Sequence, residues 1–162
     1  MSAISTWEAY VAAHELMVQR RMSVHSADLN GNELVAAIEA SLLGSTSAAA
    51  AALAYLPFLK EESVLKLIPK LLRLALSVHG LTESARSSLA QLPSEPVVAA
   101  AMAAEADVIR SGDYEEYACL FEIWRSIGHP EHAARLAQQA SKDPNEDVRD
   151  IALSFLSAHG IA

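Results

Sequence analysis

The stretch AARLAQQASKDPNEDVRDIALSFL (residues 133–156) decides the fold class. It reads as two helices separated by a tight turn. The first half, Ala-Arg-Leu-Ala-Gln-Gln-Ala, reads as an apolar helix, and Pro130 just upstream suits a first helical position. The second half opens at Asp143, Pro144 and Glu146, and places Val148, Ile151, Ala152 and Phe155 on one face. A connection this short obliges the two helices to pack side by side and antiparallel.

The same grammar recurs outward from this pair. Ser5 with Glu8 forms a capping box for a first helix, whose Trp7, Tyr10, Val11, His14, Met17 and Val18 share a face. Asn30 with Glu33 opens a second, with Leu34, Val35, Ile38 and Leu42 inward and Gly44 at its end. Thr46 starts an alanine-rich helix reaching Leu56, whose small side chains suit close helix approach. Glu61 to His79 is the most apolar stretch; Val64, Leu67, Ile68, Leu71, Leu72, Ala75 and Val78 cover one wide face. A helix so apolar is buried on more than one side, and Pro69 is expected to kink or divide it before a C-cap at Gly80. Thr82 caps a short helix ending near Leu92-Pro93. Ser94 and Pro96 open the next, which runs to Gly112. Asp113 and Glu116 form another box before the stripe Tyr114, Tyr117, Ala118, Phe121 and Trp124, closed by Gly128. No run of alternating β-branched residues reads as a strand. The expected fold is all-α, with about eight to ten helices.

The turn Asp143-Pro144, followed by Val148-Arg149 at the start of the second helix, resembles a HEAT repeat. The resemblance implies that Asp caps, Pro starts, Val enters the core and Arg reaches acceptors in a neighbouring repeat. A weaker copy spans Ala85 to Ala104, where Val98 stands in the arginine's place; Leu56 to Leu76 is a third, departing at Pro69. What it implies is a single domain over 1–162, a short right-handed α-solenoid of antiparallel helix pairs. Residues 1–44 would form irregular N-terminal capping helices and residues 45–162 the HEAT-like repeats. Such scaffolds carry many functions, so the likeness transfers no activity.

Composition agrees with a packed helical domain. The chain has 162 residues, 52% of them hydrophobic, with only six glycines and six prolines. The net charge of −8 disfavours nucleic acid and anionic lipid as partners. It is uneven: Glu95 to Asp150 holds 12 acidic against five basic residues, and Lys60 to Arg86 five basic against three acidic. Cys119 is the only cysteine, so no intramolecular disulfide forms. The N-terminus Met1-Ser2-Ala3-Ile4 lacks a secretory pattern and the apolar run Ala48 to Leu56 is too short for a bilayer, so a cytoplasmic location is expected.

No residue pattern carries recognisable chemistry. His14-Glu15 lacks the second histidine of a zinc-protease helix, since Val18 stands there, and a hydrogen-bonded core histidine is the expected role. His129 and His132 flank Glu131 at a helix start without a nominated third ligand, so metal is not expected. Cys119 reads as an inert packing residue beside Leu120 and Phe121. No GxSxG elbow or phosphate-binding glycine loop occurs. Neither a catalytic site nor a cofactor is therefore expected.

Two surfaces remain. Lys66, Lys70, Arg73 and Ser77 form one polar stripe that could meet an acidic segment or phosphates, against the plainer reading of a solvated helix edge. Glu105, Asp107, Asp113, Glu115, Glu116 and Glu122, with Tyr114 and Tyr117 among them, suit a basic protein surface. The leading expectation is a non-enzymatic module binding a basic protein partner, in concrete form an immunity or antitoxin-type inhibitor of a basic toxin domain. A nucleic-acid-binding or DNA-repair-like HEAT protein, or a small enzyme with an unrecognised site, stands as the alternative.

Overall fold

The computed structural model describes residues 3–26, 31–78 and 80–161. Among them all regular structure is helical: α1 (Ala3–Ser26), α2 (Gly31–Leu42), α3 (Thr46–Tyr55), a 3-10 turn (Leu56–Phe58), α4 (Glu61–Leu76), α5 (Thr82–Ala90), α6 (Ser94–Ser111), α7 (Tyr114–Ser126), α8 (Pro130–Ala140) and α9 (Glu146–Ala158). Local chemistry sets most of these ends. Ser45 Oγ accepts the Ala48 N–H to cap α3, and Asp113 Oδ1 accepts the Glu115 N–H at 2.8 Å to cap α7. Gly112 and Gly128 take positive φ of 65° and 88°, the left-handed exit that a β-carbon would penalise.

Several expected ends differ. α1 begins at Ala3, so Ser5 lies inside the helix rather than capping it. The Asn30 half of the second box, and His79, lie outside the described residues. α4 stops at Leu76 because Ser77 turns extended (ψ 135°), and Gly80 is not its cap. In the turn before α9 the cap is Asn145, whose side chain accepts from Asp147 N. Asp143 instead accepts from Asn145 N at 2.9 Å, and Pro144 precedes the helix. Arg149 bends back on its own turn, donating to the carbonyls of Asp143 and Pro144 at 2.8 and 2.9 Å. Two Asx residues competed for one cap, and the nearer carbonyls captured the arginine.

Helix α4 is the hub, packing against α2, α5, α6 and α7; α7 in turn meets α5, α6, α8 and α9. Leu67, Leu71 and Ala75 are wholly buried, and Ile68 and Leu72 nearly so. Pro69 does not divide the helix. Its ring removes the N–H that the Leu65 carbonyl would accept, a cost of about 3 kcal/mol. Burying each large aliphatic side chain contributes about 1.5–3 kcal/mol, and several do so within two turns, so packing outweighs the lost bond.

One hydrophobic core runs from Val35 in α2 to Leu156 in α9. Among the described residues, none of helix α1 belongs to it. Its apolar residues, expected to face inward, are exposed, Trp7 by 64% and Tyr10 by 60%, and His14 is exposed rather than a core histidine. The contact that ties α1 down is the Arg21 guanidinium, 4.1 Å over the Phe58 ring.

Pro69→Ala restores a donor for Leu65 and is expected to raise the unfolding free energy by about 1–3 kcal/mol. A urea titration reads this as a higher midpoint; a lower midpoint would mean that the ring's own packing dominates.

Candidate functional site

Helices α4 and α6 pack together but leave an open groove along one side of their contact. Ala100, Ala103 and Ala104 stand on one face of α6 at helical spacing, and their methyl groups leave a groove that larger side chains would fill. The groove holds about 500 Å³, within the range of small-molecule and peptide-side-chain sites. Pro69, Leu72, Leu76 and Val108 complete its apolar lining; Arg73, Asp107 and Glu116 supply its charges. It therefore draws one residue from the basic stripe and two from the acidic group.

The stripe itself is mostly engaged. Lys66 Nζ donates to Asn32 Oδ1 at 2.9 Å, and Lys70 Nζ lies 3.1 Å from Glu39 Oε1, both on α2. Arg73 is exposed and forms no ion pair with the described residues. Ser77 turns to the Arg73 carbonyl.

The acidic group is divided. Asp107 pairs with Arg110 at 2.8 Å and Glu122 with Arg125 at 2.9 Å, each three residues along its own helix. Such exposed pairs stabilise by about 0–1 kcal/mol, and each cancels one negative charge of the group. Asp113 is spent on the α7 cap. Half of the expected box closes directly, Asp113 Oδ1 accepting the Glu116 N–H at 3.3 Å; the return half runs through Ser111, whose Oγ donates to Glu116 at 2.8 Å and accepts the Asp113 N–H at 3.3 Å. Tyr114 remains exposed with its hydroxyl 3.4 Å from Glu115. The Glu115 carboxylate holds the Tyr114 phenol above its usual pKa, helped by slight desolvation and by Asp147 and Asp113. Asp147, at the start of α9, thus joins this face, and Asn145 Nδ2 donates to the Gly112 carbonyl to hold the two turns together. The sequence offered no sign of that, because the two turns are separated by a whole helix pair.

Tyr117 and Glu105 point inward. Tyr117 is buried, and burial raises its pKa, followed by the Asp143 and Glu105 charges. Glu105 is 18% exposed and His132 15%. Glu105 Oε2 accepts the Trp124 indole N–H at 3.0 Å and meets His132 Nε2 at 2.8 Å. The His132 ring lies against Trp124, tilted by 32°, with centroids 3.9 Å apart. Arg135 Nη2 lies 2.8 Å from His132 Nδ1 and 3.2 Å from Nε2, a position over the face of the imidazole, while Nε2 meets the Glu105 carboxylate. The arrangement clamps α6, α7 and α8 together. His129 turns to Glu131 at 3.3 Å, and among the described residues no group of three or more His, Cys, Asp or Glu could share a metal ion.

Cys119 is buried on α7. Burial pushes its thiol pKa up, opposed by the Arg86 guanidinium of α5. Comparisons with protein-family models, with curated proteins and with solved structures found no match to this chain.

Glu105→Ala leaves the buried Trp124 N–H without an acceptor and is expected to destabilise by about 1–3 kcal/mol. Denaturant titration measures it, and a loss below about 0.5 kcal/mol would dismiss the clamp. Cys119 should resist thiol reagents in the native protein at pH 8 and react fully in denaturant; rapid native labelling would contradict its burial.

Proposed function

We propose that this chain is a non-enzymatic protein-binding module, a short α-solenoid of HEAT-like helix pairs whose α4–α6 groove takes an apolar segment of a basic protein partner. The observation that carries this reading is the groove's construction. Its floor is apolar and alanine-lined, and Asp107 and Glu116 stand on one side with Tyr114, Glu115 and Asp147 following along the same corner. Apolar floor and acidic rim together suit a segment with large side chains flanked by lysine or arginine. Arg73, at the other wall, favours a single carboxylate or carbonyl on the incoming segment. Two of the three stripe cations are already held by α2, which weakens the nucleic-acid alternative. An inhibitor that masks a basic phosphate-binding cleft is the concrete form of this proposal.

The test is affinity capture with the intact chain, followed by identification of a stoichiometric partner and titration of the purified pair. Ala103→Trp, which fills the groove, and Glu115→Lys, which reverses its rim, are each expected to weaken binding about tenfold or more. A partner held equally well by both variants removes this groove, and a mobility shift with DNA at low salt that Arg73→Glu abolishes replaces the reading with the alternative.

A further inference from the structure

The least satisfied surface of the molecule is α1. Nine large apolar side chains are exposed along it, and eight of them, Ile4 to Val24, fall on one arc of the helix, with Leu16 alone on the far side. The second half of this arc meets the body at Arg21, whose guanidinium lies over the Phe58 ring. A cleft opens on each side of that contact. One, of about 240 Å³, lies between Met17, Val24 and the α3 residues Ala51, Ala54 and Tyr55; the other, of about 340 Å³, lies between Val18, Met22 and Phe58. The Tyr55 hydroxyl, buried where the two clefts meet, has no hydrogen-bond partner among the described residues. The first half of α1, with Trp7 and Tyr10 stacked at 5.4 Å, joins no core cluster.

We propose that the occupant of this face is α1 of a second copy of the chain, laid antiparallel about a two-fold axis beside His14. Three features favour a copy over other partners. First, the arc is self-complementary: residues equidistant from His14 are Val11 with Met17, Tyr10 with Val18, Trp7 with Arg21 and Ile4 with Val24. These pairs are apolar with apolar, except that the indole meets a guanidinium, itself a favourable pairing, and the eighth arc residue, Met22, stands opposite Thr6. Second, the reciprocal arrangement lays the unsupported half of each α1 along the clefted half of the other. Both defects are then met by one contact. Third, the eight side chains expose on the order of 800 Å², which matches the area each partner contributes to a specific interface. The carboxylates Glu8 and Glu15 stay off the seam, on its outer flank.

Sedimentation and light scattering over a concentration series test this on the full chain. The expected result is a species of twice 17.3 kDa at high concentration. The double variant Trp7→Glu, Val11→Glu is expected to weaken self-association about 100-fold or more while leaving the core intact, since neither residue belongs to it. Register is read by cross-linking: the double variant Tyr10→Cys, Val18→Cys should form an intermolecular disulfide on mild oxidation, and Tyr10→Cys alone should not. Three outcomes overturn the proposal. They are a monomer persisting to about 1 mM, a dimer untouched by the Trp7 and Val11 charges, and a monomer that binds phosphatidylcholine–phosphatidylglycerol vesicles through Trp7. The last would assign the face to lipid.

Discussion

The burial of α4 on more than one side is the constraint from which the rest of the stack follows. A helix with Leu67, Leu71 and Ala75 fully enclosed must be surrounded, and α2, α5, α6 and α7 are the elements that surround it. Its remaining polar edge is therefore narrow. Lys66 and Lys70 lie where α2 approaches and are taken up by Asn32 and Glu39, while Arg73 lies one turn further on, where α6 stands off. The open groove and the exposed arginine are two results of one packing problem: α6 presents alanines to α4 where it could have presented leucines.

A second centre holds the C-terminal half. Trp124 is too large to be displaced and carries a polar N–H that the core cannot leave unmet. Glu105 answers it from α6, and once a carboxylate is there, His132 meets it from α8 with Arg135 against the imidazole. A chain read as a run of surface acids thus loses one of them to the interior. This clamp fixes α6 against α7 and thereby fixes the corner on which Asp107, Tyr114 and Glu116 stand.

The all-helical character and most helix starts were legible because they depend on neighbours within four residues: Asp113 capping α7, Pro130 opening α8, Gly112 and Gly128 closing turns. Where two local solutions existed the wrong one could be chosen, as with Asp143 and Asn145 before α9. The sidedness of charged residues was not legible. Lys66 looked free because its acceptor Asn32 lies 34 residues away, and Glu105 looked exposed because the group that draws it in, Trp124, belongs to a different helix. The apolar face of α1 was visible in the spacing, yet spacing cannot distinguish a face turned to the chain's own core from one turned outward.

The separation of α1 from the core also divides the molecule thermodynamically. A helix that shares no core cluster with the rest can open without exposing Leu71 or Phe121, so its amide protons exchange through fluctuations far smaller than global unfolding. Most helical stability in a folded protein comes from tertiary packing, and α1, despite its 24 residues, has little of it. The N-terminal element therefore behaves as its own cooperative unit, whose order tracks whatever rests against it, while α2 to α9 keep the protection of the enclosed core.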